Sequence, residues 1–351
     1  MKSRMFFPAL LIVSILISQT AAAAPQQILE VLTWSEYIDP EIVVEFETEF
    51  SAQIKQTYFE SDADRDRALA ESAGTGYDLI MVSGQRVSKY AKQNWIMPLD
   101  QKLIPNIDHI SLRWRNTFEA TYTHSVPYFW GTMGIAWRSD LYPDGFDSWK
   151  QLIEPAPQLS GKIIMSRDGR ELLSFALKAD GLSVNTGDRA KLSLASKKLA
   201  AQKPYVKRYG IPNLDETSEF ATGDVWAAAM YNGDVLMLQE HVENIEFRIP
   251  NEGGLIWVDY LAVATSSDQK ELAHNFLGFL NRPEVAARNA EYVYFSTPNT
   301  GALQHVSDEY RHNRIIHPTE QDLDGSEIIK SLPPRSQKIV NTVITQIVET
   351  L

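Results

Sequence analysis

Hydrophobic and polar positions follow two alternating patterns in the first part of the chain. Short runs rich in β-branched and aromatic residues, bounded by turn residues, predict buried strands over residues 28–34, 53–59 and 77–82. Between the first two runs, Asp39 and Pro40 have the pattern of a helix N-cap followed by proline at the first helical position. The chain therefore alternates strand and helix from its first predicted strand onward.

The helical segments between these strands carry their own periodicity. Val43, Phe46 and Phe50 lie on one face of the first predicted helix, and a polar helix is predicted over residues 62–72. This strand–helix–strand rhythm predicts an α/β layer with a largely parallel sheet. Open sheets of this kind bind ligands in the loops that leave the carboxyl ends of their strands.

The same alternation continues beyond residue 126. We predict further strands over residues 134–137, 162–165, 227–231 and 255–264, and further helices over residues 170–179 and 188–203. No internal repeat, low-complexity tract or long linker interrupts the pattern. A chain folded into two lobes without a linker needs either one continuous sheet or a chain that crosses between the lobes more than once. Composition does not choose between these two arrangements.

The first two dozen residues differ in character from the rest. Lys2 and Arg4 precede an apolar run over residues 5–17, and an alanine tract over residues 21–24 follows. This pattern predicts a secretory signal peptide over residues 1–23, in preference to a retained amphipathic anchor. The sequence has no cysteine, which excludes disulfides, thiolate metal sites and a lipid-anchored N-terminal cysteine. We therefore expect a periplasmic protein that is not lipid-anchored.

Composition and motifs exclude several functional classes. The 45 acidic and 33 basic residues give a net charge of −12, which argues against nucleic-acid binding and mildly favours cationic ligands. No Gly-rich phosphate loop, Gly-x-Ser-x-Gly elbow or His-Glu-x-x-His motif is present, and Ser83 has no base that the sequence reveals. We expect no enzyme activity, no cofactor and no metal site.

Aromatic residues and carboxylates recur at the predicted strand ends and turns. Trp257 and Asp259 are two apart, hence on the same side of one strand. Asp259 interrupts an otherwise apolar run, and a carboxylate buried there without a partner costs several kcal/mol. It therefore requires a cation, either an internal arginine or an external ligand. The other residues of this kind are Trp34 and Tyr37 around the first turn, Asp168 and Glu171 at a helix start, and Tyr231 and Asp234 around an Asn-Gly turn.

Each of these residues also has an ordinary structural explanation. Asp168 can cap a helix, Asp234 can close a turn, and tryptophan belongs to the core more often than to a ligand site. Together, however, they match a linear polyamine, whose ammonium groups are separated by methylene runs. Spaced carboxylates hold the charges, and aromatic faces enclose the methylenes and add cation–π attraction of ~0.5–2 kcal/mol each.

At these residues the chain resembles the periplasmic spermidine/putrescine-binding proteins that serve polyamine ABC importers. The resemblance covers nearly the whole chain after the signal peptide. The segments that carry it are Trp34-Ser35-Glu36-Tyr37-Ile38, Tyr77-Asp78-Leu79-Ile80, Val126-Pro127-Tyr128-Phe129-Trp130-Gly131-Thr132, Asp168-Gly169-Arg170-Glu171, Tyr231-Asn232-Gly233-Asp234, Glu252-Gly253-Gly254-Leu255-Ile256-Trp257-Val258-Asp259, Leu280-Asn281-Arg282-Pro283 and Thr297-Pro298-Asn299.

The resemblance implies a fold and a domain organisation. It implies a two-lobed α/β fold of the type II periplasmic binding protein class, with the ligand in the cleft between the lobes and a monomeric state. The chain would cross between lobes near residues 134–138, 253–257 and 300. The N-terminal lobe would comprise residues 24–135 plus 256–300, and the C-terminal lobe residues 136–255 plus 301–351.

The resemblance also implies a role for each site residue. Trp34, Ser35 and Tyr37 would form the first wall, with Ser83 in a neighbouring loop. Asp168 and Glu171 would hold one ammonium end, Trp257 and Asp259 the other end or the middle amine, and Asp234 would be an additional carboxylate. The chain departs from the family at Tyr231, where tryptophan is usual, and at Gln85 and Phe295, where tyrosine is usual. These departures affect the expected ligand length more than the ligand class.

We therefore expect binding of a polyamine, with a spermidine- or norspermidine-like triamine favoured over putrescine, for delivery to the membrane permease of an ABC importer. The alternative is a polyamine sensor that docks on a membrane receptor controlling cyclic-di-GMP signalling and biofilm formation. A ferric-ion binder on the same fold would need tyrosine, histidine and carboxylate oxygens converging on one point, which fits this aromatic-rich pattern poorly.

Overall fold

The computed structural model describes residues 27–350, so the predicted signal peptide lies outside the described residues. The strands are β1 (Gln27–Thr33), β2 (Ala52–Tyr58), β3 (Leu79–Ser83), β4 (Val126–Arg138), β5 (Ile163–Met165), β6 (Val206–Tyr209), β7 (Ala227–Tyr231), β8 (Ile245–Arg248), β9 (Leu255–Val263) and β10 (Glu327–Ile328). The first seven α-helices are α1 (Pro40–Phe50), α2 (Asp62–Glu71), α3 (Gly84–Lys92), α4 (Leu112–Arg115), α5 (Thr121–His124), α6 (Lys150–Ile153) and α7 (Gly169–Lys178). The remaining ones are α8 (Arg189–Gln202), α9 (Asn232–Gln239), α10 (Lys270–Leu280), α11 (Pro283–Val293), α12 (Asp308–His312) and α13 (Pro334–Val343), which continues into a π-helical turn, Ile344–Val348.

The strands form one continuous mixed sheet. Its order is β2-β1-β3-β9-β4-β7-β5-β6, with β10 paired to β9 and β8 paired to β4. The pairs β1–β2, β1–β3, β5–β6, β5–β7 and β9–β10 are parallel, whereas β3–β9, β4–β9, β4–β7 and β4–β8 are antiparallel. The prediction of a largely parallel sheet is therefore wrong at the centre of the sheet, where β9 lies between β3 and β4 and is antiparallel to both.

Strand β4 joins the two halves of the molecule. It is 13 residues long, and its first part pairs with β9 while its second part pairs with β7 and β8. The sequence predicted only residues 134–137 as a strand here. The two arrangements left open by composition are thus both present, because one sheet is continuous and its long strand passes from one half to the other.

Two large hydrophobic cores lie along this sheet, with a smaller third cluster beside the second. The first core collects side chains from β1, β3 and most of β9, and from helices α1, α10 and α11. The second collects side chains from β5, the end of β4 and helices α7 and α8. The division of the chain between the lobes stays a prediction. Buried side chains from Ala302 to Leu323 belong to the first core, whereas the sequence assigns residues 301–351 to the other lobe.

Local sequence signals account for the start and the buried face of α1. Asp39 caps α1 by accepting a hydrogen bond from the Glu41 backbone N–H at 2.8 Å, with Pro40 at the first helical position as predicted. On the buried face of α1, Phe46 is fully buried and stacks on Phe50 with ring centroids 4.4 Å apart. Within residues 27–350 no helix is long and apolar enough to cross a membrane.

Two glycines bring separate segments into close contact at the start of β9. Gly253 has φ +83°, and a Cβ atom placed there would lie 2.1 Å from the carbonyl carbon of Gly325. Only glycine avoids both the left-handed strain and this overlap. Directly after this contact along the chain, β10 pairs with Leu255 and Ile256 at the start of β9.

We expect Gly253→Ala to lower the free energy of unfolding by about 2 kcal/mol more than Gly76→Ala, because overpacking is added to the backbone strain. Gly76 is a matched control, since its φ of +91° is similar but no atom lies within 4 Å of a Cβ placed there. Urea unfolding followed by tryptophan fluorescence measures both variants. Equal losses would show that the contact with Gly325 does not constrain the fold.

Candidate functional site

Asp259 forms the first part of the candidate site, on the apolar strand β9. Its side chain is almost fully buried, and its Oδ2 accepts hydrogen bonds from Trp34 Nε1 at 3.0 Å and from Tyr37 OH at 3.2 Å. Burial raises the pKa of Asp259 to about 6, against the opposing effects of these donors and of the nearby Arg65 charge. The structure thus brings together three of the predicted site residues, Trp34, Tyr37 and Asp259, and Oδ1 of Asp259 has no hydrogen-bond partner among the described residues.

Glu171 forms the second part, on the first turn of α7. Its Oε1 accepts a hydrogen bond from Tyr231 OH at 2.7 Å, and its Oε2 accepts one from Ser166. Burial, followed by the charge of Asp168, raises the pKa of Glu171 to about 8. Asp168 itself caps α7 through the backbone N–H groups of Arg170 at 2.7 Å and Glu171 at 3.0 Å. The structural explanation of Asp168 as a helix cap is thus confirmed, its charge also acts on Glu171, and its contact with a ligand stays a prediction.

Asp234 is a third buried carboxyl, in the first turn of α9. Burial raises its pKa to about 7, and its side chain makes no hydrogen bond within the described part of the chain. The pKa values of both Tyr37 and Tyr231 are raised, chiefly by burial and in smaller part by the Asp234 charge. Asp234 therefore lies within electrostatic range of both tyrosines without being neutralised by a protein cation.

A line of aromatic rings connects these tyrosines. The Tyr37 and Phe295 ring centroids are 6.0 Å apart, those of Phe295 and Trp257 are 4.7 Å apart, and those of Trp257 and Tyr231 are 5.9 Å apart. All three pairs meet edge to face. Because Tyr37 donates to the carboxylate on β9 and Tyr231 to the one on α7, the line has a carboxylate at each end.

Phe295, rather than Tyr294, contributes to this line. Phe295 is buried, and a Cβ atom at Gly233 would lie 2.4 Å from its ring, so the glycine makes room for it. Tyr294 instead donates a hydrogen bond to Glu240. The indole N–H of Trp257 is buried without a partner among the described residues. The contacts of Trp257 in this line are therefore those of its ring, with Phe295 and Tyr231.

Asp62 is a site residue that the sequence did not reveal. Its Oδ1 accepts from Arg65 and from Ser83, both at 2.6 Å, and its Oδ2 accepts from Gln85 at 3.3 Å and Arg86 at 3.4 Å. Burial alone would raise the pKa of Asp62, but the charges of the two arginines and the Ser83 hydrogen bond lower it to about 2. Ser83 and Gln85, both predicted site residues, are therefore held by Asp62.

The sequence indicated only a polar helix at this position. The spacing of Asp62 and Arg65 is that of an ion pair one helical turn apart, and the helix follows the carboxyl end of β2, where ligand-binding loops are expected. The burial of Arg65 depends on distant residues, so no local pattern predicts it. Ser35, in contrast, is exposed and makes no hydrogen bond with the described residues, so the structure does not bring it into the site.

We expect the ligand-free protein to lose stability as pH rises from about 4 to about 7, because Asp234 must then ionise in the folded state at a cost that the unfolded chain does not bear. Asp234→Asn removes this titration. Between pH 5 and pH 8 the free energy of unfolding of this variant should therefore fall by roughly 2 kcal/mol less than that of the wild type. Urea unfolding at several pH values measures the difference. Asp188→Asn, at an exposed helix cap, is the control, and a parallel decline in all three proteins would contradict the prediction.

The chain is similar to named proteins along most of its length. It is 28% identical over 309 residues to the spermidine/putrescine-binding periplasmic protein of Salmonella typhimurium, with 88% of each chain covered. It is 29% identical over 325 residues to the norspermidine sensor of Vibrio cholerae, with 91% of this chain and 89% of that protein covered.

Solved structures show the same fold. A putative spermidine/putrescine ABC transporter protein from Listeria monocytogenes superposes with a TM-score of 0.83 at 29% identity, covering 92% of this chain and 99% of that one. This similarity confirms the predicted two-lobed type II architecture. The model of the bacterial extracellular solute-binding protein family matches residues 41–317. The chain therefore belongs to the bacterial extracellular solute-binding proteins, and it is a binding protein rather than an enzyme.

Proposed function

We propose that this protein binds a linear polyamine in the cleft between its lobes, with a spermidine- or norspermidine-like triamine favoured over putrescine. The observation that carries the proposal is the line of four aromatic rings with a carboxylate at each end. A polyamine has the complementary structure, because its ammonium groups need carboxylates while its methylenes need apolar walls. Ring faces also attract the ammonium groups themselves.

The number of carboxyl groups supports a triamine. Asp168, Glu171, Asp234 and Asp259 exceed what the two ammonium groups of putrescine require. Three of these groups have pKa values raised to about 6 to 8 by burial, so they are poorly solvated as anions. A third ammonium group would relieve that cost through a charge-assisted hydrogen bond.

We further propose a periplasmic location and delivery of the ligand to the membrane permease of an ABC importer. Support comes from the similarity to the periplasmic spermidine/putrescine-binding protein of Salmonella typhimurium. The predicted signal peptide over residues 1–23 and the absence of cysteine from the sequence agree with export without a lipid anchor.

A second candidate function is polyamine sensing through a membrane receptor that controls cyclic-di-GMP signalling and biofilm formation. The observation in its favour is the similarity, over nine-tenths of this chain, to the norspermidine sensor of Vibrio cholerae. The ligand class is the same in both proposals. They differ in the membrane protein that recognises the loaded form.

Isothermal titration tests the ligand. We expect norspermidine and spermidine to bind the purified protein more tightly than putrescine. Asp259→Asn should weaken triamine binding by about 1.5–3 kcal/mol, because one charged hydrogen bond is replaced by a neutral one.

Asp188→Asn is the control for this measurement, since it removes a carboxylate from an exposed helix cap that is not among the predicted site residues. It should leave the affinity unchanged. An absence of heat at submillimolar concentrations of every polyamine would overturn the proposed function. Unchanged binding by Asp259→Asn would remove Asp259 from the site.

Uptake of labelled polyamine separates the two functions. We expect a strain that lacks this protein to take up less spermidine or norspermidine, and expression of the wild-type chain to restore uptake. Normal uptake together with altered biofilm formation would instead favour the sensor. The neighbouring genes give an independent indication, because permease and ATPase genes accompany transport and a cyclic-di-GMP receptor gene accompanies sensing.

A further inference from the structure

Two arginines lie among the carboxylates of the candidate site. Arg65 is fully buried, and its Nη2 binds Asp62 at 2.6 Å while its Nε donates to Tyr90 OH at 3.0 Å. Its guanidinium also lies 5.0 Å from the centre of the Phe59 ring. Its Nη2 also lies 3.4 Å from Ser83 Oγ, so the helix, the ring and three hydrogen bonds fix this cation in the fold.

Arg86 is the second of these cations and is more accessible. Its Nε lies 3.4 Å from Asp62 Oδ2, its Nη1 lies 2.5 Å from Asp66 Oδ2, and 29% of its side chain is exposed. Asp66 is shared with Lys89, which binds the same oxygen at 2.9 Å. Asp66 and Lys89 together add no net charge, so Arg86 is available to offset Asp62.

The arginine network adjoins the site carboxylates on both sides. Ser83, which donates to Asp62 at 2.6 Å, is the direct neighbour of Asp259 in the pairing of β3 with β9. Burial raises the pKa of both Asp259 and Asp168, and the arginine charges oppose this rise, that of Arg65 at Asp259 and that of Arg86 at Asp168. The two guanidiniums thus act on different ends of the site.

We propose that Arg65 and Arg86 are built-in counter-ions that set how many positive charges the ligand must carry. When all five are ionised, the carboxylates of Asp62, Asp168, Glu171, Asp234 and Asp259, taken with these two guanidiniums, have a formal charge of −3. A triamine neutralises this charge, whereas a diamine leaves one carboxylate unmatched. The inference rests on the proposed polyamine binding and adds residues that determine specificity.

Arg86 provides the direct test because it is the more exposed of the two cations. Removing its charge makes the site more negative and removes repulsion from the ligand. Both changes strengthen the binding of the third ammonium group of a triamine. A diamine of equal length has no charge at that position. The selectivity between two such ligands therefore isolates the contribution of Arg86 from effects on packing and length.

The experiment measures the dissociation constants of norspermidine and 1,7-diaminoheptane, which have the same chain length and differ in the central amine. We expect wild-type protein to favour norspermidine, and Arg86→Gln to increase this preference by about tenfold. Arg86→Lys keeps the charge and should retain the wild-type ratio. Thermal unfolding verifies that each variant is folded.

Lys92→Gln is the matched control, because it removes one positive charge from the same helix, α3, but Lys92 is exposed and its carboxylate partner is Glu119, at 2.9 Å, rather than Asp62 or Asp66. Its ratio should equal that of the wild type. An unchanged or lower ratio in Arg86→Gln, or an equal rise in Lys92→Gln, would overturn the counter-ion proposal while polyamine binding stands. Failure of the wild-type protein to bind either amine would instead overturn the proposed function.

Discussion

The antiparallel pairing of β4 with β9 is the constraint on which both the fold and the site depend. It places Gly131 opposite Trp257, and on the other side of β9 the pairing with β3 places Ser83 opposite Asp259. A side chain at Gly131 would overlap the Trp257 ring, since a Cβ atom there lies 2.6 Å from it. A one-residue change of register would turn both Trp257 and Asp259 to the opposite face of the sheet. The pairing of β9 with its neighbours thus determines both the packing around Trp257 and the position of the Asp259 carboxylate.

Features governed by short-range geometry could be predicted from the sequence. The alternation of side chains along a strand placed Trp257 and Asp259 on one face, and the capping pattern located the start of α1 at Pro40. An acidic residue inside an apolar strand also predicted that Asp259 requires a cation, either an internal arginine or an external ligand. Among the described residues its hydrogen-bond donors are the neutral Trp34 and Tyr37, and the Arg65 charge acts on it without a hydrogen bond, so the external cation stays a prediction. In these cases either the deciding interaction joins residues that are close in the sequence, or a buried charge without a partner would cost a large amount of free energy.

Features that depend on distant contacts could not be predicted in this way. Strand β4 is three times as long as the predicted segment, because its continuation is stabilised by partners about 100 residues away or more. Arg65 looks in the sequence like one of several charged residues on a polar helix, and only its contacts with Phe59 and Tyr90 show that it is buried. Ser35 follows Trp34 in the sequence but is exposed, since turn geometry decides which neighbouring side chain points inward. The family resemblance suggested the aromatic and acidic residues but not the arginines between them.

The burial of Asp234 has a consequence for how the protein handles protons. A carboxyl group with a pKa of about 7 is protonated in a large fraction of molecules at neutral pH, and Glu171 is protonated in a larger one. A cation that takes these groups as anions must displace their protons into solvent. Binding of the proposed polyamine would therefore release protons into the surroundings, and an acidic medium would favour release of the ligand. Occupancy would thus follow the local proton concentration as well as the supply of ligand.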